Sequence, residues 1–146
     1  MIYESRKESE IEKKAKKTQP RAFLPQDIDI TILKTIPYEY PHREVLVEIS
    51  TDELTSLCPF SGLPDFAHLI IRYIPNRYLV ELKSLKYYLY AFRNVKIYNE
   101  HLVNKILEDL KKVIRPKKIC VIADFTVRGG IKNKVIASFP RNWRGE

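Results

Sequence analysis

The chain has 146 residues, 45% of them hydrophobic and 30% charged, enough for one cored domain and too apolar for a disordered segment. No apolar run exceeds six residues, which excludes a membrane-spanning helix, and two cysteines with three scattered histidines supply neither a disulfide framework nor a structural zinc set. The net charge of +8 is shared, with seven Lys/Arg against four Glu in residues 1–21 and nineteen Lys/Arg against fourteen Asp/Glu in residues 22–146. A basic body attracts phosphate-bearing partners, nucleic acid or a phosphorylated cofactor, or else is simply a lysine-rich solvated surface. The first residues carry a charge run rather than the apolar stretch of a signal peptide, so a cytoplasmic setting is expected.

In chain order, residues 1–21 read as a basic, mobile arm, and residues 22–146 as a single domain. Residues 23–40 are short apolar stretches broken by Pro25 and Pro37, suited to a segment laid across a sheet. Glu44 to Ser50 alternates polar with apolar, which puts Val45, Val47 and Ile49 on one face of a half-buried strand. Thr51 to Asp65, with Pro59, Gly62 and Pro64, reads as a loop. Phe66–Ile74 and Arg77–Leu82 flank Pro75-Asn76 and read as a hairpin. Ser84 is the expected cap of a helix whose Leu85, Tyr88, Leu89 and Phe92 share a face. Asn99 is the expected cap of a second, with Val103, Ile106, Leu107, Leu110, Val113 and Ile114 as its stripe and Pro116 as its stop. Strands over Lys118–Val127 and Ile131–Phe139 flank the Arg128-Gly129-Gly130 turn. The order gives an α+β fold, an antiparallel sheet with two helices packed on one face. Its two unpaired edges point to a homo-oligomer.

Several residues carry candidate chemistry. Cys58 sits in TSLCPFSGLPD, where a loop exposes a thiol, whereas Cys120 sits in the apolar ICVIADF and reads as a buried hydrophobe. Asp65, seven residues after Cys58, is either a proton carrier for an attacking sulfur or a turn cap. Lys83 and Lys86, after Glu81 at a helix start, either hold phosphate or face solvent. Glu100 either accepts two hydrogen bonds from a guanine-like amidine edge or complements the helix macrodipole. The glycines after Arg128 permit close backbone approach to a ligand.

Taken together, CPFSGLPDFA at 58–67, ELKSLKYYLYAFRN at 81–94, YNE at 98–100 and RGG at 128–130 resemble the QueF family of nitrile reductases in its short, single-module form. The resemblance spans roughly residues 40–131, in order. It implies the tunnelling fold (T-fold), in which subunits join their sheets into an oligomeric barrel with shared sites. It also implies NADPH-dependent reduction of 7-cyano-7-deazaguanine to 7-aminomethyl-7-deazaguanine in queuosine biosynthesis, a tRNA modification. On this resemblance Cys58 is the nucleophile that forms a thioimide and Asp65 the proton donor. Val80, Glu81, Leu82, Asn99 and Glu100 line the substrate site, and Lys83, Lys86, Arg128 and Gly129 meet NADPH. Asn99 stands where many members have histidine, and Leu102 where some carry a second cysteine. The rival readings are a QueF-like archaeosine synthase, which adds ammonia to the nitrile in tRNA, and a non-enzymatic basic RNA-binding module.

Overall fold

A computed structural model describes residues 23–145; the arm expected over residues 1–21 lies outside them. Six strands are ordered β1 (Thr35–Pro37), β2 (Val47–Leu57), β3 (Pro64–Ile74), β4 (Tyr78–Val80), β5 (Lys118–Phe125) and β6 (Lys134–Phe139). Between β4 and β5 lie helices α1 (Leu82–Tyr90) and α2 (Asn99–Ile114), joined through a 3-10 turn at Ala91–Asn94. The main sheet is antiparallel in the order β2-β3-β5-β6, and β1 pairs with β4 in a separate two-stranded ribbon.

One face of the sheet takes the two helices. Leu54, Leu69, Ile71, Val121 and Ala123 meet Leu85, Tyr88 and Phe92 of the first helical segment and Val103, Ile106 and Leu110 of α2 in one buried cluster. The expected stripes are therefore the core faces, with Val113 at the margin. Burying each such side chain contributes about 1.5–3 kcal/mol, so this interface dominates what holds the helices down. α2 stops at Arg115, which adopts φ 45° and donates its N–H to the Lys111 carbonyl just before Pro116.

Three expectations are corrected. The stretch Thr51–Leu57 is strand, and only residues 58–63 form the loop. The cause is a β-bulge: Thr51 pairs with Leu69 but Leu54 pairs with Ala67, so three steps on β2 match two on β3. The extra residue flips the parity of the strand. Val47, Ile49 and Thr51 face inward before it, and Leu54 and Ser56 after it, so no single period-2 pattern runs through.

The expected hairpin of 66–74 with 77–82 does not form. β3 is paired on both sides, with β2 and β5, so β4 pairs instead with β1. The Val80 N–H goes to the Tyr73 hydroxyl rather than to a β3 carbonyl.

The helix caps also sit earlier than expected. Glu81 caps α1 by accepting the Ser84 N–H at 2.6 Å, while Ser84 Oγ donates to the Glu81 carbonyl and accepts from Lys34 N–H. Ser84 thus becomes a buried tie between the helix and the segment before β1. Tyr98 is the capping position of α2, and Asn99 is its first helical residue.

Candidate active site

The end of β2 is pinned before the loop begins. Leu57 donates its N–H to Val95 and accepts one from Ile97, so the segment leading into α2 runs beside the strand. Cys58 then opens a six-residue loop that closes on itself: Cys58 N–H donates to the Leu63 carbonyl and Gly62 N–H to the Cys58 carbonyl, both at 2.9 Å. Gly62 turns the chain at φ 71°, a conformation that other side chains resist. Partial burial pushes the Cys58 thiol up. Hydrogen bonds from the Ser61 hydroxyl and from the backbone N–H groups of Ser61 and Phe60 outweigh it and hold the thiol below its ordinary pKa, while the charge of Asp65 opposes them.

Asp65 lies on β3 opposite Ser56, a position the strand pairing brings next to the end of β2. Arg128 Nε lies 3.5 Å from Asp65 Oδ1, and its guanidinium also donates to the Pro64 carbonyl. Arg128 is aimed by a tight turn in which Arg128 and Ile131 exchange two backbone hydrogen bonds, with Gly129 at φ 56° and Gly130 at φ 75°. The same β5–β6 connection reaches Glu100: Asn133 Nδ2 donates to Glu100 Oε1 at 3.3 Å, and the Asn133 carbonyl accepts from Phe125 N–H. One connection therefore braces both the Asp65 side chain and the carboxylate at the start of α2.

Beside the loop is a cleft of about 450 Å³, lined by Pro59, Lys96, Ile97, Tyr98 and His101. Asn99, next in sequence to Tyr98, has a side-chain oxygen that is buried without a hydrogen-bond partner among the described residues. A buried acceptor left unmet costs about 1–3 kcal/mol, so such a group suits a ligand donor. Thr55 Oγ1 and Ser56 Oγ, near the same end of β2, are likewise unpartnered.

The second half of the expected site lies elsewhere. Leu82 and Lys86 border a smaller cleft of about 230 Å³ against Ile49, Thr51 and Glu53 of β2. Those strand residues are five to nine positions before Cys58, about 17–30 Å at 3.3 Å per residue. Lys83 and Lys86 are exposed in the first turns of α1, with Lys86 Nζ 5.0 Å from the Tyr87 ring. Glu81 is held below the usual carboxylate range chiefly by the Ser84 N–H, against partial desolvation. Val80 is buried in β4. Within one chain the structure thus gathers Cys58, Asp65 and Arg128, with Gly129 in the turn and Glu100 braced through Asn133, and sets Val80 to Lys86 apart. Sequence reading missed Asn133 and Ser61. Nothing in KNK marks Asn133, whereas Ser61 was legible as a hydroxyl three residues from a candidate nucleophile.

The fold and these contacts define a class: an α+β domain with open sheet edges that presents a thiol, held below its ordinary pKa, beside an arginine-braced carboxylate. The family model described as QueF-like protein matches residues 64–142. A relative from Caldicellulosiruptor bescii is 54% identical over 80% of this chain and 88% of its own length, and one from Caldanaerobacter subterraneus subsp. tengcongensis is 51% identical over 80% and 87%. Both are named NADPH-dependent 7-cyano-7-deazaguanine reductase. A crystal structure of the archaeosine synthase QueF-Like in its apo form superposes with a TM-score of 0.60 at 26% identity, covering 64% of this chain and 91% of that one. The chain belongs to the QueF-like family, and its α+β architecture is the T-fold of that family.

Proposed function

We propose that this protein is the NADPH-dependent nitrile reductase that converts 7-cyano-7-deazaguanine to 7-aminomethyl-7-deazaguanine, with Cys58 as nucleophile and Asp65 as proton carrier. The observation that carries the reading is the Cys58–Asp65 pair, a thiol held below its ordinary pKa next to a braced carboxylate. Identity of about half to reductases along most of their length supports the substrate and the reaction.

The chemistry follows from the groups. The Cys58 sulfur adds to the electrophilic nitrile carbon and one C–N π bond opens. The thiol proton, passed through Asp65, ends on the nitrogen, which gives a thioimide on Cys58. Arg128 steadies the Asp65 carboxylate through its ion pair. Glu100, with one oxygen held by Asn133, accepts the N1–H and amine of the deazaguanine, and the unpartnered Asn99 oxygen lies at the preceding position of the chain.

The donor set fits a phosphorylated dinucleotide. Lys83 and Lys86 are exposed cations, and a Cβ on Gly129 would meet nothing within 4 Å, so that backbone is open to approach. Bound there, NADPH supplies hydride, two per nitrile because nitrile to primary amine takes four electrons. The distance between Cys58 and the Lys83 end of α1 supports a site completed by a second copy of the chain, joined through the open edges of β2 and β6.

The test is nicotinamide absorbance after adding the free nitrile to the purified protein. Two NADPH consumed per nitrile is the expected result. No consumption, with nitrile trapped on Cys58, overturns it in favour of an ammonia-adding enzyme like the archaeosine synthase that shares the fold.

A further inference from the structure

Asn133 is the last residue of the β5–β6 connection, one position before β6 begins. Its backbone is fixed there, because its carbonyl accepts the Phe125 N–H at 2.9 Å. Glu100 is anchored on the facing side. It is the second residue of α2, and its carbonyl accepts from Asn104 Nδ2 at 2.9 Å. Between these two anchored backbones the side chains meet, Asn133 Nδ2 donating to Glu100 Oε1 at 3.3 Å. A carboxylate only accepts hydrogen bonds, so the amide meets it through its NH2 group.

The contact orients Glu100 without neutralising it. Among the described residues no lysine or arginine pairs with Glu100, and Asn133 is the one donor to its side chain. Asp65 differs, since the same connection gives it the Arg128 guanidinium at 3.5 Å. Both lysines of the KNK run belong with Asp124: Lys132 Nζ lies 3.0 Å from its Oδ1, and Lys134 is opposite it in the strand pairing. The neutral residue between them is the one that reaches α2. A guanidinium there would occupy both oxygens and the charge together. An amide takes one lone pair of one oxygen, and leaves the charge and the second oxygen to a ligand. It also restrains the carboxylate from turning about its last bond. Two parallel N–H groups on a flat ring need that fixed plane, whereas a single N–H can follow a carboxylate that turns.

We propose that Asn133 is the positioning residue for nucleobase recognition, its amide restraining the Glu100 carboxylate so that it selects a ligand with two adjacent N–H donors over one with a single donor. The inference rests on the reading of Glu100 as the acceptor of the deazaguanine edge.

The experiment is equilibrium binding of two free ligands, 7-cyano-7-deazaguanine and its analogue without the exocyclic amine. The protein is the full chain carrying Cys58→Ala, so that binding is read without a covalent adduct. This parent is expected to prefer the amine-bearing ligand. Adding Asn133→Ala is expected to cut that preference about fivefold, the scale of one exposed hydrogen bond, with the analogue's affinity changed by less than about twofold. Equal weakening of both ligands, which is what a loosened connection gives, overturns the proposal, as does an unchanged preference. Glu100→Gln in the same parent separates the proposal from the reading beneath it. A preference lost in Glu100→Gln but kept in Asn133→Ala overturns the proposal and leaves Glu100 as the acceptor. A preference kept in Glu100→Gln overturns that reading and the proposal with it.

Discussion

The end of β2 and the middle of β5 each carry a cysteine, and the two sulfurs have opposite environments. Cys120 sits within β5, fully buried, paired with Arg72 on one side and Ser138 on the other. Burial pushes its thiol up, and the charges of Arg144 and Arg72 only partly offset that. Cys58 sits one residue past a strand end, half-buried, and hydrogen bonding from Ser61 and Phe60 holds its thiol below the ordinary pKa against burial and the charge of Asp65. The difference teaches that a sheet interior spends its N–H groups on neighbouring strands, so a sulfur there pays for burial without a donor. A strand end frees donors, and a short closed loop can aim them. On the proposed reading, the nucleophile's setting follows from where the sheet stops.

The sharpest way to break that contrast is to remove each sulfur in turn. Cys58→Ala is expected to abolish both turnover and covalent capture of the nitrile, measured by NADPH oxidation and by intact-protein mass. Cys120→Ala is expected to keep turnover and to cost about 1 kcal/mol of stability, the price of a small buried side chain. Retained turnover in Cys58→Ala removes the thioimide mechanism, and lost turnover in a folded Cys120→Ala removes the contrast itself.

A smaller effect tests the other separation, between the Cys58 end and the α1 end of one chain. If each site takes its nucleophile from one copy and its cations from another, two dead variants can repair each other. Cys58→Ala mixed in equal amounts with Lys83→Glu/Lys86→Glu, unfolded and refolded together, is expected to regain about a quarter of wild-type activity, the random share of sites with both halves intact. A site contained within one chain regains none. The readout is NADPH oxidation by the mixture against each variant refolded alone.

How much of this was legible beforehand follows the range of the signal. The helix stripes were readable because Leu85, Tyr88, Leu89 and the α2 series repeat at 3.6 residues, and packing decides them locally. The course of β2 was not, because the bulge between Thr51 and Leu54 shifts the inward face by one residue, and that depends on its partner β3. The pairing of β4 failed for the same reason: proximity in sequence favoured β3, whose edges were already taken. At the site, a loop setting and a seven-residue spacing marked Cys58 and Asp65 as candidates, and the family resemblance alone gave them roles. The contacts that hold Asp65 and Glu100 were not legible, since Arg128 and Asn133, which meet them in turn, come from a connection more than sixty residues beyond Asp65. Ser84 misled as a cap because the helix already starts at Leu82, and Glu81, three residues earlier, accepts the Ser84 N–H with a charged oxygen.

The smallest effect concerns which ligand the α1 cations serve. Lys83 follows the Glu81 cap at the second helical position, an exposed cation at a helix start whose Ser84 N–H the cap carboxylate already takes. Its ammonium contributes to holding Glu81 in its charged form, but hydrogen bonds to Ser84 do most of that work. Removing the ammonium therefore leaves the cap standing. Lys83→Ala is expected to raise the KM for NADPH several-fold with little change in kcat, because a screened surface cation contributes binding shared by ground and transition states. The rise is expected to shrink as salt is added, in step with the Debye length. An unchanged KM for NADPH, with weaker binding of the nitrile instead, assigns Lys83 to the substrate and divides the site differently: cations with the nucleobase, and the Gly129 turn alone with the dinucleotide.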